Sequence, residues 1–197
     1  KPMQDKVFFI PLQTLMLIAL AALVYLLTGA SSETLVYQQH AVLQGEWWRW
    51  FTSHWVHTGL QHFGLDAIAL LILAGTLEYF APKWVLPSLG LGILMVNLML
   101  WQQNMAVYCG LSGALHAFLL PLIWLLWKRY QSPILPLIAA ASLAKMGYET
   151  SLQQTLFMTN TWPPIIESHL AGYFGGFILC VVWQVMERNH NPVSYET

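Results

Sequence analysis

The sequence predicts an all-α, polytopic membrane protein: one domain, residues 1–197, folded as a bundle of six transmembrane helices. Three observations carry that prediction. Hydrophobic residues make up 57 % of the 197-residue chain and charged residues only 9 %, with a mean hydropathy of +0.54, far from a soluble domain. The apolar residues gather into six runs of roughly 20 residues, which span a hydrocarbon core ~30 Å thick at ~1.5 Å per residue. The runs stop at charged or helix-breaking residues, as at Pro82-Lys83, Lys128-Arg129 and Glu187-Arg188. No acidic or basic block marks a nucleic-acid partner. Cys109 and Cys180 set no disulfide framework. The chain opens on Lys1 and not on Met, so its natural start is expected upstream. The first run is too long, and too cleanly followed by others, for a cleaved signal peptide.

The first span is expected over residues 7–28. Residues 29–60 are polar by comparison yet carry Trp47, Trp48, Trp50 and Trp55, which reads as a segment lying at headgroup level. The second span covers 61–81, the third 84–101, the fourth 111–127. The fifth, 133–148, is the weakest because it holds Lys145; Glu149 follows at i+4, where the two charges neutralise each other on one helix face. Residues 150–164 form a loop, and 165–186 the sixth span. With the N-terminus inside, Lys1, Lys6, Lys83, Lys128, Arg129 and Arg188 all fall on the cytoplasmic side, leaving Arg49 outside and Lys145 in a span.

In that orientation spans two, four and six run from outside to inside. Ser112 lies about 24 Å above Lys128 along its helix, Asp66 about 22 Å above Ala81 and His169 about 27 Å above Glu187. Three polar groups on three parallel helices thus sit near one depth, a little below the outer surface. Ionisable residues in a membrane are costly and point to function.

The chemistry that fits is nucleophilic acyl transfer. Ser112 stands between Gly110 and Gly113 at a helix N-terminus, where close backbone approach and free N–H groups suit an oxyanion. The same glycines also suit plain helix packing. A serine hydroxyl needs a base, and two histidines compete. His116, at i+4, lies beside the serine on its own helix. His169 approaches from a facing helix and is favoured, with His116 as a packing neighbour. His62 and Asp66 share one face of the second span and suit oxyanion donation or orientation of the base. His54 and His57 are expected to knit the interfacial loop. A metal site built from His54, His57, His62 and Asp66 is the alternative, although no HExxH arrangement supports it.

Taken in order, Trp48-Arg49, His57-x4-His62, Gly75-x-x-Glu78, Gly110-Leu111-Ser112-Gly113 and His169-x-x-Gly172-x3-Gly176 resemble the rhomboid intramembrane serine proteases, from the first span to Arg188. The resemblance implies a Ser112–His169 dyad without metal or cofactor, and an oxyanion hole from the Ser112 N–H and His62. It implies that Gly172 and Gly176 pack the sixth helix on the fourth. Residues 47–60 would form a half-inserted first loop tied by Arg49 and Glu46. The fifth helix and residues 150–164 would be gate and cap.

Two positions depart from the family pattern. Asp66 stands where an asparagine is usual, and an ionised carboxylate would repel a developing oxyanion; a protonated Asp66 would donate instead, or orient His62. His116 stands where a tyrosine often stacks on the base. The short six-helix form and the Gly-Leu-Ser-Gly-x-Leu-His string resemble the rhombosortase branch. That implies a bacterial inner-membrane enzyme with cytoplasmic termini and a periplasm-facing site. Its substrates would be secreted proteins with a Gly-Gly tail, a membrane helix and basic residues, cut by hydrolysis or by sortase-like transfer to an amine. The rival reading is an inactive rhomboid-like scaffold that routes membrane proteins, but such chains lose the serine or the base. A transporter would spread charged residues across the bilayer instead of at one level.

Overall fold

A computed structural model describes residues 9–30, 32–152 and 165–190. The chain is mostly helical. The first helix, α1, runs Leu12–Thr28, five residues later than the start expected at 7, because Pro11 sits at its N-cap and offers no N–H. Its exposed first turn is completed from elsewhere. The Glu78 carboxylate accepts the backbone N–H groups of Gln13 and Thr14, each at 2.9 Å, and the Thr14 hydroxyl at 2.7 Å. A carboxylate at a helix N-terminus satisfies orphan donors and opposes the positive end of the dipole.

Between α1 and the next long helix lie short pieces: the strand β1, Tyr37–Gln38, and the helices α2, Gln39–Leu43, and α3, Arg49–Thr52, followed by a 3-10 turn at Ser53–Trp55. Arg49 holds this segment together. Its Nε donates to Glu46 at 2.7 Å, and Nη1 donates to the carbonyls of Glu33 and Val36. Asn97 ties the segment to the bundle, donating to the Trp50 carbonyl and accepting from His54 Nε2, both at 3.0 Å. Trp55 is buried, whereas Trp47 is 74 % exposed.

The helix α4 runs Leu60–Phe80, α5 Val85–Gln102, α8 Ile134–Leu152 and α9 Glu167–His190. Among the described residues, three helices are long and apolar enough to cross a membrane: Leu60–Phe80, Pro82–Gln102 and Glu167–Asn189. The segment read as a single fourth span is divided. Ser112–Leu115 is a four-residue helix, α6; His116–Phe118 is a 3-10 turn; Leu119–Tyr130 is α7. Pro121 supplies the reason, since it lacks the N–H that would bond the Ala117 carbonyl four residues back. The fifth helix extends past 148 to Leu152, taking in the start of the expected loop. The remainder of that loop and cap, 153–164, lies outside the described residues.

Among the described residues, two short strands also pair. The strand β2, Val107–Tyr108, pairs antiparallel with β1, Tyr37 opposite Tyr108, and ties the first loop to the residues just before Ser112. The core lies among α4, α5, α7 and α9, around Leu70, Leu77, Leu89, Phe118 and Leu179. Trp84 stacks on Trp183 with ring centroids 4.7 Å apart. Large apolar side chains such as Leu27, Ile72, Leu98 and Phe174 remain exposed on the outer faces. Lipid and not water is the solvent that suits such faces.

Candidate active site

Ser112 is placed by the turn in front of it. Gly110 has φ +114°, in the left-handed region that favours glycine. Space enforces the same choice, because a Cβ there would lie 2.6 Å from Cε1 and Nε2 of His62. Three hydrogen bonds fix the turn. Gly110 N–H donates to the Ser53 carbonyl at 3.0 Å, the Tyr108 hydroxyl donates to the Gly110 carbonyl at 2.8 Å, and Leu111 N–H donates to Asp66 Oδ2 at 3.0 Å. Ser112 then opens α6 at a position where the backbone N–H has no intrahelical acceptor.

His169 comes from the first turn of α9. Its Nε2 lies 3.2 Å from Ser112 Oγ, at the long end of hydrogen-bond distance. The approach depends on glycines. A Cβ on Gly172 would fall 1.8 Å from the Gly113 carbonyl oxygen, and one on Gly176 would fall 2.7 Å from that of Ala117. On the opposite side, Gly92 of α5 meets the Ala114 carbonyl at 2.5 Å by the same measure. At Gly113 itself a Cβ would crowd the Tyr108 hydroxyl and Ser168.

His116 does not face the Ser112 hydroxyl as an attacking base would. Its Nδ1–H donates to the Ser112 carbonyl at 2.7 Å, the i−4 acceptor on its own helix. Its ring lies nearly parallel to that of His169, centroids 4.3 Å apart and planes at 19°. One imidazole therefore forms a flat wall for the other.

Asp66 and His62 sit behind the Gly110 turn. Thr58 N–H donates to His62 Nδ1 at 3.4 Å, which makes that nitrogen an acceptor and leaves the proton on Nε2. Nε2 is 3.5 Å from Asp66 Oδ2. Asp66 has a nearer partner, which sequence reasoning had assigned to the loop: His57 Nε2 at 3.2 Å. The other nitrogen of His57 donates to the Trp55 carbonyl at 3.1 Å. Asp66 Oδ2 is thus flanked by two imidazoles and the Leu111 N–H.

Seven of the sequence-derived residues are thus joined by direct contacts: Ser112, His169, His116, Gly110, Gly113, His62 and Asp66. Gly172 and Gly176 back them. His54 is turned away toward Asn97. Burial lowers its imidazole to about 4, with the Asn97 hydrogen bond opposing. Cys109 is half-buried, and burial, with the Asp66 carboxylate adding to it, pushes its thiol up to about 12. It remains protonated and unreactive at neutral pH. Sequence reasoning places His57 beside His62 and Asp66 only in the metal alternative, and does not bring in Tyr108 or Gly92. The His57-x4-His62 spacing was a signal for the first; nothing in the sequence marked the other two. Among the described residues, no three His, Cys, Asp or Glu side chains converge as metal ligands would.

A helical, membrane-type bundle with a serine and a buried histidine 3.2 Å apart narrows the class of protein. A family model for the rhomboid domain matches residues 44–185, and the chain belongs to the rhomboid family, which comprises intramembrane serine proteases, some of them inactive. No curated protein matches the chain.

Proposed function

We propose that this chain is an active intramembrane serine endopeptidase of the rhombosortase type, with Ser112 as nucleophile and His169 as general base. The observation that carries the proposal is the 3.2 Å contact between His169 Nε2 and Ser112 Oγ, held by the close glycine approach of α9 to the Ser112 turn. The Ser112 Oγ–H proton passes to Nε2 as Oγ bonds the scissile carbonyl carbon. The resulting oxyanion is received by the Ser112 backbone N–H, free at the start of α6, and by the Nε2–H of His62, whose Nδ1 accepts from Thr58. His169 then returns its proton to the leaving amine, and water releases the acyl-enzyme.

The enzyme in this reading is a six-span protein of the bacterial inner membrane with cytoplasmic termini and a site just below the periplasmic face. The first loop is half-inserted. The gate is α8, which buries only Leu135, Met146 and Glu149 and so is weakly held. The substrate is a membrane-anchored protein with a Gly-Gly tail, since glycines lower the cost of unwinding a helix for attack. The test is a reporter carrying Gly-Gly, a transmembrane helix and basic residues, co-reconstituted with the chain in proteoliposomes. Cleavage at the Gly-Gly segment by wild type and none by Ser112→Ala is expected. Mass spectrometry of the new C-terminus reads a free acid for hydrolysis or an amide for transfer. An intact reporter would remove the substrate assignment.

A further inference from the structure

The Ser112–His169 pair leaves a buried ring nitrogen and a buried carboxylate facing each other. For Nε2 of His169 to take the Ser112 proton, the neutral ring must carry its own proton on Nδ1. That Nδ1 is buried and makes no hydrogen bond among the described residues. Oε2 of Glu149, on α8, stands 3.6 Å from it, on a side chain only 1 % exposed. The same oxygen accepts Lys145 Nζ at 2.8 Å. Lys145 and Glu149 therefore do form the i,i+4 pair legible in the sequence, but Glu149 is turned inward onto the base and Lys145 remains partly exposed.

We propose that Glu149 is a positioning residue for His169, accepting a hydrogen bond from Nδ1–H and stabilising the imidazolium that forms when Ser112 attacks. This rests on the protease reading above. In the step, Oγ gives its proton to Nε2 and forms the bond to carbon, while the Nδ1 proton stays on the ring and points at Oε2. The Ser112 proton later leaves from Nε2 to the amine, and Glu149 is never protonated. Closing the gap to a hydrogen bond of about 2.8 Å takes a side-chain adjustment of less than about 1 Å. The growing positive charge on the ring favours that closure in a site of low dielectric. The working unit is then serine, histidine and glutamate. Its carboxylate arrives on the helix proposed as the gate, so a bundle whose gate is displaced has an unsupported base.

The experiment is the kinetics of fluorophosphonate inactivation of the detergent-solubilised full chain, resolved into kinact and KI. For Glu149→Gln, kinact falls by about 10- to 100-fold, with KI within about threefold of wild type. Its loss exceeds that of Lys145→Met by about tenfold or more, although both variants break the same ion pair. If Glu149→Gln does not fold, Lys145→Met/Glu149→Gln, which leaves no lone charge, is compared with Lys145→Met, and the same difference is expected. Equal losses in Glu149→Gln and Lys145→Met would make the pair a structural strut and overturn the inference. So would a Glu149→Gln variant that labels at the wild-type rate while wild type labels normally. Failure of folded wild type to label overturns the protease reading itself, a separate outcome.

Discussion

Asp66 shows how one side chain alters the chemistry available to its neighbours. In isolation a carboxylate behind an oxyanion hole is a liability. Here Oδ2 accepts Leu111 N–H and faces His57 Nε2 at 3.2 Å, so the carboxylate is held from two sides and the turn before Ser112 is pinned. Asp66→Asn keeps an acceptor for Leu111 but cannot serve both partners with one atom. Its fluorophosphonate labelling rate is expected to fall by up to about tenfold, one hydrogen bond's worth. Asp66→Leu, which leaves both partners buried and unsatisfied, should lower the rate by a further tenfold or more. Equal rates for the two variants would mean that Asp66 does not set the turn.

His54 is a second residue-scale case, with the opposite charge logic. The folded chain refuses the proton until about pH 4, whereas the ordinary value is 6.5. Between those values the unfolded chain binds more protons, so stability is lost as pH falls from 6.5 toward 4. At one pH unit per ~1.4 kcal/mol the loss amounts to roughly 3 kcal/mol. Thermal unfolding in detergent should show a lower Tm at pH 5 than at pH 7. His54→Gln, which keeps a donor for Asn97 without a titrating ring, should flatten that difference.

At the scale of elements, the site is an arrangement of backbones and not only of side chains. Helix α9 reaches Ser112 because Gly172 and Gly176 bring it against the carbonyls of Gly113 and Ala117. The Ala117 carbonyl has no helical N–H to bond because Pro121 follows. Gly172→Ala places a methyl where a carbonyl oxygen already stands, and the helix must shift. We expect a stability loss of about 1–3 kcal/mol and loss of fluorophosphonate labelling, because His169 moves with α9. Normal labelling of Gly172→Ala would show that the close approach is dispensable.

What the sequence made legible follows the same division. Contacts set by short spacing could be read: Lys145 with Glu149, and His116 beside Ser112. Where the fourth segment divides could not, because Pro121 marks a missing N–H but not how many residues before it wind as a 3-10 turn. Nor could the bond from Leu111 to Asp66, which joins residues 45 apart. Glu149 was read as a partner for Lys145, yet which way the pair faces is decided by the docking of α8. For His57 the sequence leaves open a loop role or a cluster with His62 and Asp66, and the fold sets its Nε2 3.2 Å from Asp66.

For the whole molecule, the described residues form a mostly helical bundle with apolar outer faces and a small polar interior. That interior joins α4, the turn before α6, α9 and α8, and it is bounded by a first loop pinned through Arg49 and Asn97. We propose this interior as a working serine protease site with His169 as its base. The decisive experiment labels the detergent-solubilised wild type, Ser112→Ala, His169→Ala and His116→Ala with a fluorophosphonate probe. Labelling of wild type is expected, with none for Ser112→Ala or His169→Ala and retained labelling for His116→Ala, whose ring only walls the base. Labelling lost in His116→Ala but kept in His169→Ala would contradict the assignment of the base, and no labelling of folded wild type would contradict the protease.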